Sequence, residues 1–310
     1  MKLKTLITSP AYFDKEAVSA FQQFSEVTVK QYSSEDLLKH IAEYHILAIR
    51  VDTTINKQLL DAATNLKIIA TATTGTDHID IEHAKKKGIE VISLQGANTI
   101  ATAEHTLALL LTLIRKIPAA HTSLLRGEWN RAAYIGTELA GKKLGVVGFG
   151  RIGRDIASRA RAFGMEILAY DPYLKSEDFV QHHATQKDMN ALLKEADVIT
   201  LHVLLTPETK GMMNKEKLSL LKPNAILLNC SRGEVVVEKD LVEALEQKKI
   251  AGAALDVFPE EPLKQTSPLI TYAKTHDNLI ITPHIAGSTK EAIHHAGLYA
   301  ATKTKEFLKV

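Results

Sequence analysis

The sequence contains one cysteine, few aromatic residues and no long apolar run. The single thiol, Cys230, excludes an internal disulfide and a cysteine-rich zinc site, which fits a reducing compartment. The most apolar stretch, "LALLLTLI" at residues 107–114, is far shorter than the roughly 20 residues of a membrane span and indicates a buried helix. The N-terminal "MKLKTLITSPAYFD" turns polar too early for a signal-peptide core. These absences predict a cytoplasmic protein.

Charge of either sign is also not in excess. Lysine and arginine total 38 and aspartate and glutamate total 36, for a formal net charge of +2, and the basic residues are spread along the chain. The sequence has no basic tail or stripe, so nucleic-acid binding is not expected, and the expected partners are small molecules. A chain of 310 residues with 45% hydrophobic residues predicts roughly two globular domains of about 150 residues each.

Short apolar runs alternate with helical spacing before residue 98. Ser34 is a plausible N-cap for the helix in "SSEDLLKHIAEY", and Gly88 a plausible stop for the helix in "DIEHAKKKG". The alternation predicts a small α/β layer of about five strands. The strand candidates are "KTLITS", "EVTVK", "HILAIR", "KIIAT" and "IEVISL".

A second alternating region follows a long helix, which we expect at about residues 102–116 with Pro118 as its stop. Helical segments separate several of its apolar runs, so parallel strands are expected. The final segment, from "STKEAIHH" onward, is predicted to be helical. The six strand candidates are "KLGVV", "EILAY", "VITLH", "AILLN", "AGAALDV" and "NLIIT".

A glycine-rich loop opens this second region. Gly148, Gly150 and Gly153 form G-x-G-x-x-G between the strand "KLGVV" and a helix, the context in which a dinucleotide pyrophosphate binds. Asp171 ends the next strand, 18 residues after Gly153, where a carboxylate can bond both ribose hydroxyls of NAD and repel the 2′-phosphate of NADP. Alone, the glycines could mark only a tight turn; together with Asp171 they predict NAD as cofactor.

Three later strand candidates each lead to an ionisable residue: Arg232, Glu261 and His284. If the strands are parallel, all three residues emerge at the carboxyl edge of the sheet, where such sheets bind ligands. A histidine can take a hydroxyl proton as hydride leaves, a carboxylate can orient it, and a guanidinium can bind a substrate carboxylate or polarise its C2 oxygen. Taken singly, Arg232 could equally form a surface ion pair, Glu261 could be a solvated acid, and His284 could be an ordinary loop histidine.

The segments "GFGRIGRDIASRARAFGMEILAYDP", "NCSRGEVV", "GAALDVFPEEPL" and "TPHIAGST" resemble, in their order, those of the D-isomer-specific 2-hydroxyacid dehydrogenase family. "RGEWNRAAYIGTELAGKKLGVVGFGRIG" is most similar to the D-3-phosphoglycerate dehydrogenase branch. The resemblance implies an α/β fold of two doubly wound, Rossmann- or flavodoxin-like parallel-sheet domains. A substrate-binding domain, residues 1–98 plus 286–310, would contain an inserted NAD-binding domain, residues 99–285. A chain ending at Val310 is expected to lack the regulatory domain of longer branch members.

The same resemblance implies roles for individual residues. Arg232, Glu261 and His284 would be the catalytic residues. Leu204 stands where the family usually has proline, which weakens the assignment of its neighbour Val203. The implied cofactor contacts, besides the three glycines and Asp171, are Thr74, Arg151, Ile152, Val203, Cys230, Ser231, Asp256, Ala286 and Gly287, with further contacts from Arg232 and the vicinity of His284.

The substrate prediction depends on the first domain. Arg50 ends "HILAIR", where the branch has an arginine for the substrate phosphate, and residues 73–76, including Thr73 and Gly75, would bind a carboxylate through backbone amides. Thr71, Ala132 and Ala133 stand where animal members of the branch are basic. We expect 3-phosphoglycerate/3-phosphohydroxypyruvate, as in serine biosynthesis, with unphosphorylated acids such as D-lactate, D-glycerate or glyoxylate-type substrates as the alternative.

Two other classes of protein share this sequence pattern in part. The same fold includes NAD(H)-sensing transcriptional corepressors, which can retain the catalytic residues. Formate dehydrogenases pair the histidine with glutamine, and Glu261 argues against them. No metal site is predicted. We expect a homodimer that binds neither membranes nor nucleic acid.

Overall fold

The computed structural model describes residues 2–94 and 96–309. The chain divides into two compact units, one made of Met1–Asn98 and Ser288–Val310, the other of Thr99–Gly287. The second boundary falls two residues later than the expected 286. The reason is that Ala286 is buried in the core of the second unit, and its N–H donates to the Asp256 carboxylate there at 2.7 Å.

The first unit contains a five-stranded sheet whose order is β2-β1-β3-β4-β5, with every pairing parallel. Helices connect the strands, as parallel pairing requires. The elements are β1 Leu3–Ile7, α1 Lys15–Gln22, β2 Ser25–Val29, α2 Ser34–His40, β3 Ile46–Ile49, α3 Lys57–Ala62, β4 Ile68–Thr71, α4 Ile81–Lys86 and β5 Glu90–Ser93.

The second unit contains a seven-stranded parallel sheet. Its elements are α5 Thr99–Ile114, α6 Ile117–Leu125, β6 Lys143–Val147, α7 Arg151–Ala162, β7 Glu166–Tyr170, α8 Ser176–Gln181, β8 Thr185–Gln186, α9 Met189–Glu195, β9 Val198–Leu201, α10 Lys215–Leu218, β10 Ile226–Asn229, α11 Glu238–Glu246, β11 Gly252–Leu255, α12 Pro268–Ala273 and β12 Leu279–Ile281. The strand order is β12-β11-β10-β9-β6-β7-β8. The order reverses between β9 and β6, and such a switch point is where open α/β sheets bind ligands.

The chain then returns to the first unit through α13, Lys290–Leu308. Successive side chains of β3 point to opposite faces of the first sheet and pack into separate hydrophobic clusters. Leu47 belongs to one cluster, and Ile46 and Ala48 belong to the other, which also contains Ala300 of α13. The second sheet is likewise covered on both faces. The predicted α/β fold class with two doubly wound parallel sheets is confirmed.

The helix predicted for residues 102–116 is divided in two. Lys116 adopts a left-handed backbone, φ 51°, between α5 and α6, and Pro118 lies in the first turn of α6 rather than after a stop, a position where its missing N–H costs no hydrogen bond. Within residues 2–94 and 96–309 no single helix has the length and apolarity to cross a membrane; only α5 and α6 taken together, bent by 57°, meet that measure.

Two other local expectations differ from the structure. The α2 cap is Ser33, whose side chain accepts from the Asp36 N–H, and Ser34 is the first helical residue. Strand β8 was not predicted, because its two exposed residues carry no apolar pattern.

Candidate active site

The glycine loop is shaped by two close backbone approaches. Gly148 has φ +89°, and a Cβ there would lie 2.4 Å from the carbonyl oxygen of His202. A Cβ on Gly153 would lie 2.2 Å from the carbonyl oxygen of Gly148. Any side chain at either position would displace the backbone, so the first and third glycines set the turn from β6 into α7.

The second glycine does something different. Gly150 is exposed, and a Cβ there would meet no atom within 4 Å. It is the N-cap of α7 and has no side chain with which to cap the N–H groups of Arg151, Ile152 and Gly153 that follow. Unpaired N–H groups and the helix dipole favour an anion, so this end of α7 fits the pyrophosphate of NAD.

Asp171 follows β7, next to the loop. Its two carboxylate oxygens accept from the backbone N–H groups of Phe149, at 2.9 Å, and Tyr173, at 3.0 Å. The carboxylate therefore holds the glycine loop against β7, and each oxygen keeps a lone pair for another donor. Its role toward the ribose stays a prediction.

The three candidate catalytic residues follow adjacent strands. Arg232 comes after β10, Glu261 after β11 and His284 after β12, at the carboxyl edge of the sheet. The structure pairs two of them: Nδ1 of His284 lies 2.7 Å from Oε2 of Glu261. Arg232 is half-buried, and its Nη1 donates to the Ser231 carbonyl at 2.7 Å.

The surroundings of Glu261 favour the ionised form of its carboxylate. Burial raises its pKa, but the hydrogen bond with His284 and the N–H of Phe258, which donates to Oε1 at 3.0 Å, outweigh burial and lower it overall. The Glu261 and His284 side chains are 34% and 31% exposed, so the histidine can still reach a reactant.

Asp256 is fully buried and organises the loop that carries His284. Its carboxylate accepts from the Thr282 hydroxyl at 2.5 Å and from the N–H groups of Ile285, at 2.9 Å, and Ala286. Burial raises the pKa of Asp256, and the hydrogen bonds, led by the one from His105, more than reverse this. Of the predicted cofactor contacts, Asp256 and Ala286 are thus bonded to each other in the protein.

The segment after β10 is fixed by a residue that sequence reasoning missed. The Asn229 side chain accepts from the N–H and hydroxyl of Ser231 and donates to the Arg232 carbonyl at 2.8 Å. The sequence signal that could have indicated this role is that Asn229 is a polar residue at the end of the apolar run "AILLN". Next to it Cys230 is buried, and burial raises the pKa of its thiol to about 12, so it stays protonated and unreactive.

Val203 and Leu204 follow β9. Val203 is half-buried, and its Cγ1 would lie 3.0 Å from a Cβ on Gly148, so it lines the back of the glycine loop. Leu204, in place of the family's proline, is 70% exposed.

In the first unit, Arg50 follows β3 and is half-buried. Its Nη1 and Nη2 both donate to the Ser288 hydroxyl at 3.2 Å, and its guanidinium lies 4.0 Å from the centre of the Tyr12 ring. Burial lowers the pKa of Arg50 because the charged form loses hydration. Among the described residues no carboxylate forms an ion pair with this guanidinium, which therefore favours an anion.

The segment after β4 contains the remaining predicted contacts. The Thr73 hydroxyl donates to the Gly75 carbonyl at 2.7 Å and also bonds the Thr71 hydroxyl. Thr74 is exposed and donates to the Asn98 side chain at 3.1 Å. Thr71, where the resemblance implies a basic residue in animal members of the branch, is buried and its hydroxyl bonds that of Thr73.

Residues 107–286 match the family model of the D-isomer specific 2-hydroxyacid dehydrogenase, NAD binding domain. The chain belongs to the D-isomer specific 2-hydroxyacid dehydrogenase family. The predicted family and the predicted cofactor, NAD, are thereby confirmed. The loop geometry agrees with this cofactor, since Gly150 provides no side-chain cap for the N–H groups of the first turn of α7.

Relatives within the family differ in what they are named for. The D-3-phosphoglycerate dehydrogenase of Methanocaldococcus jannaschii is 44% identical over 310 residues, covering 99% of this chain but 58% of that protein. The hydroxypyruvate reductase of Thermotoga maritima is 39% identical and covers 94% of each chain. The structure of D-lactate dehydrogenase from Aquifex aeolicus with NAD and lactic acid has a TM-score of 0.86 at 30% identity, covering 99% and 95%. The chain spans about half the length of the curated phosphoglycerate dehydrogenases it matches.

Proposed function

We propose that this protein is an NAD-dependent oxidoreductase that transfers a hydride between NAD(H) and C2 of a small D-2-hydroxy acid or 2-oxo acid. The observation that carries the proposal is the 2.7 Å pair of Glu261 and His284. The pair follows two neighbouring strands of the sheet that also carries the glycine loop. A dinucleotide loop and an oriented imidazole on one sheet edge are what alcohol oxidation requires.

The pair assigns the two histidine nitrogens. Because Nδ1–H of His284 donates to Glu261, Nε2 is the atom left to take the substrate hydroxyl proton, and the carboxylate stabilises the imidazolium that results. Arg232, on the next strand, supplies a positive charge for the substrate carboxylate or C2 oxygen. The glycine loop and the N-terminus of α7 would hold NAD, which would serve as the hydride acceptor.

For the substrate we propose 3-phosphoglycerate, or 3-phosphohydroxypyruvate in the reverse direction. Arg50 supports this choice, because a half-buried guanidinium with no ion-pair partner among the described residues suits a phosphate. Thr73 and Gly75, whose segment is fixed by its own hydrogen bonds, would bind the substrate carboxylate through backbone amides.

An unphosphorylated acid is the second candidate. Thr71 and the exposed Ala132 and Ala133 supply no further positive charge for a phosphate. The hydroxypyruvate reductase relative, similar to this chain along almost its whole length, supports the same alternative.

A spectrophotometric screen tests the proposal. NADH oxidation is followed with 3-phosphohydroxypyruvate, hydroxypyruvate, pyruvate and glyoxylate, and kcat/KM is compared among them. A kcat/KM that is highest for 3-phosphohydroxypyruvate supports the phosphoglycerate assignment. A higher kcat/KM for another acid would identify that acid as the substrate instead. Tight NADH binding without turnover of any acid would instead favour a cofactor-sensing, corepressor-like protein.

We also propose a homodimer that uses the second unit. Within residues 124–135 of that unit, four large apolar side chains are more than half exposed: Leu124, Leu125, Trp129 and Ile135. Exposed apolar residues close together in the chain favour self-association. Light scattering of the full chain and of a Leu125→Glu variant tests this, with a monomeric wild type as the contrary result.

A further inference from the structure

A histidine outside the predicted catalytic residues reaches the loop that carries His284. His105 lies on α5, and its side chain is 19% exposed. Its Nε2 is 3.2 Å from the Thr282 hydroxyl and 3.4 Å from Oδ1 of Asp256. This contact joins residues 177 positions apart in the sequence.

The direction of the hydrogen bonds follows from the donors available. An ionised Asp256 carboxylate can only accept, so the single proton of Thr282 is used in its 2.5 Å bond to Asp256. The Thr282 oxygen can then only accept from His105. The Nε2 atom of His105 must therefore carry a proton.

The Asp256 group in turn sets the backbone around His284. The Asp256 carbonyl accepts from the His284 N–H at 2.8 Å, and its carboxylate accepts from the next two N–H groups, those of Ile285 and Ala286. His284 itself has φ +53°, in the left-handed region that most residues avoid. Such a conformation persists where surrounding contacts enforce it.

We propose that His105 is a positioning residue, whose Nε2–H fixes the Thr282–Asp256 pair and thereby holds His284 against Glu261. The inference rests on the proposed function, because it assigns His284 the proton transfer. The lowered pKa of Asp256 agrees with it: after burial, which raises the pKa, the hydrogen bond from His105 is the largest contribution and lowers it.

The experiment compares three variants of the full chain. His105→Leu removes the donor, and His105→Gln keeps an N–H at a similar reach. Leu110→Ala, at a fully buried position of the same helix, lowers stability through lost apolar packing and removes no hydrogen bond. We expect His105→Leu to lower kcat roughly ten-fold or more, because a displaced base transfers protons poorly. The pH of half-maximal kcat/KM for hydroxy-acid oxidation should also move lower, since His284 leaves Glu261.

The other two variants should keep a near-wild-type kcat and pH profile. If His105→Leu behaves like Leu110→Ala, losing thermal stability only, His105 is merely structural. If His105→Gln is as impaired as His105→Leu, donation by Nε2–H is not its role. Either result overturns the inference.

A readout without turnover separates this inference from the proposed function. In ¹⁵N NMR of the histidine rings without substrate, we expect a protonated Nε2 on His105. We also expect the His284 resonances to move in His105→Leu but not in His105→Gln. Unmoved His284 resonances overturn the positioning role. A wild type that reduces no 2-oxo acid would defeat the proposed function, while the NMR result would still decide the positioning role.

Discussion

Nδ1 of His284 lies 2.7 Å from Oε2 of Glu261, although 23 positions and strand β12 separate the two residues in the chain. Glu261 is held by the Phe258 N–H and His284 by the backbone of Asp256. Both partners of the pair are therefore anchored before a substrate binds.

Removing the imidazole should remove proton transfer and little else. General acid–base catalysis contributes about 10² to 10⁴ in rate, so we expect His284→Ala to lower kcat by about that factor. NADH affinity, measured by fluorescence titration, should stay near the wild-type value. A kcat within a few-fold of wild type would exclude His284 as the base.

Neutralising Glu261 should change the pH dependence more than the affinity. Glu261→Gln removes the negative charge that favours the protonated form of its partner, so the pH of half-maximal kcat/KM for oxidation should fall. The pH–rate profile measures this shift. Glu260→Gln, at the neighbouring acid that pairs with Lys264, is the matched control and should leave the profile unchanged.

Asp171 should distinguish the two nicotinamide dinucleotides. We expect Asp171→Ala to weaken NAD much more than NADP, because the variant loses bonds to the ribose hydroxyls and no longer repels the 2′-phosphate. Asp171→Asn retains an oxygen to accept the Phe149 N–H, and so separates loop support from charge. Titration of each variant with NAD and with NADP gives the ratio of the two dissociation constants. Equal losses for NAD and NADP would leave Asp171 with the loop role alone.

Arg50 should matter chiefly for a phosphorylated substrate. A charge-assisted contact contributes about 1.5 to 3 kcal/mol, so Arg50→Ala should lower kcat/KM for 3-phosphohydroxypyruvate by roughly 10- to 150-fold and for pyruvate or glyoxylate much less. Arg50→Lys keeps the positive charge but loses the two-pronged guanidinium, so its kcat/KM for 3-phosphohydroxypyruvate should lie between those of the wild type and Arg50→Ala. An equal loss for all acids would contradict the phosphoglycerate assignment.

A pH-dependent contact joins α13 to the start of α1. Nδ1 of His294 lies 2.7 Å from Oδ2 of Asp14, and the hydrogen bond with Asp14 raises the pKa of His294. A raised pKa adds stability that is full below the ordinary histidine value, about 6.5, and is lost as pH rises through the folded-state value. His294→Gln should therefore lower the thermal midpoint more at about pH 5.5 than at about pH 8.5. His295→Gln is the control, and a His294→Gln difference that is independent of pH would refute the contact's role.

The sequence alone determined the elements whose cause is local. The glycine loop was predicted from its local spacing, and at Gly153 the steric cause is also local, because a Cβ there would meet the Gly148 carbonyl. At Gly148 the cause is tertiary, because a Cβ there would meet the carbonyl of His202. The parallel strands follow from apolar runs separated by helices. Because parallel strands end at the same sheet edge, Arg232, Glu261 and His284 could be expected near one another without a structure. The two-residue β8 and the break at Lys116 carry no such pattern.

Tertiary structure alone decided which groups support those residues. His105 reaches Thr282 and Asp256 only because α5 packs beside the ends of β11 and β12, a contact across 177 positions that no local pattern encodes. Asn229 binds the segment after β10, and Asp171 accepts a hydrogen bond from the glycine loop. Residue types and local spacing indicate the chemistry of a site, whereas the hydrogen bonds that hold it in place join segments that only the folded chain brings together.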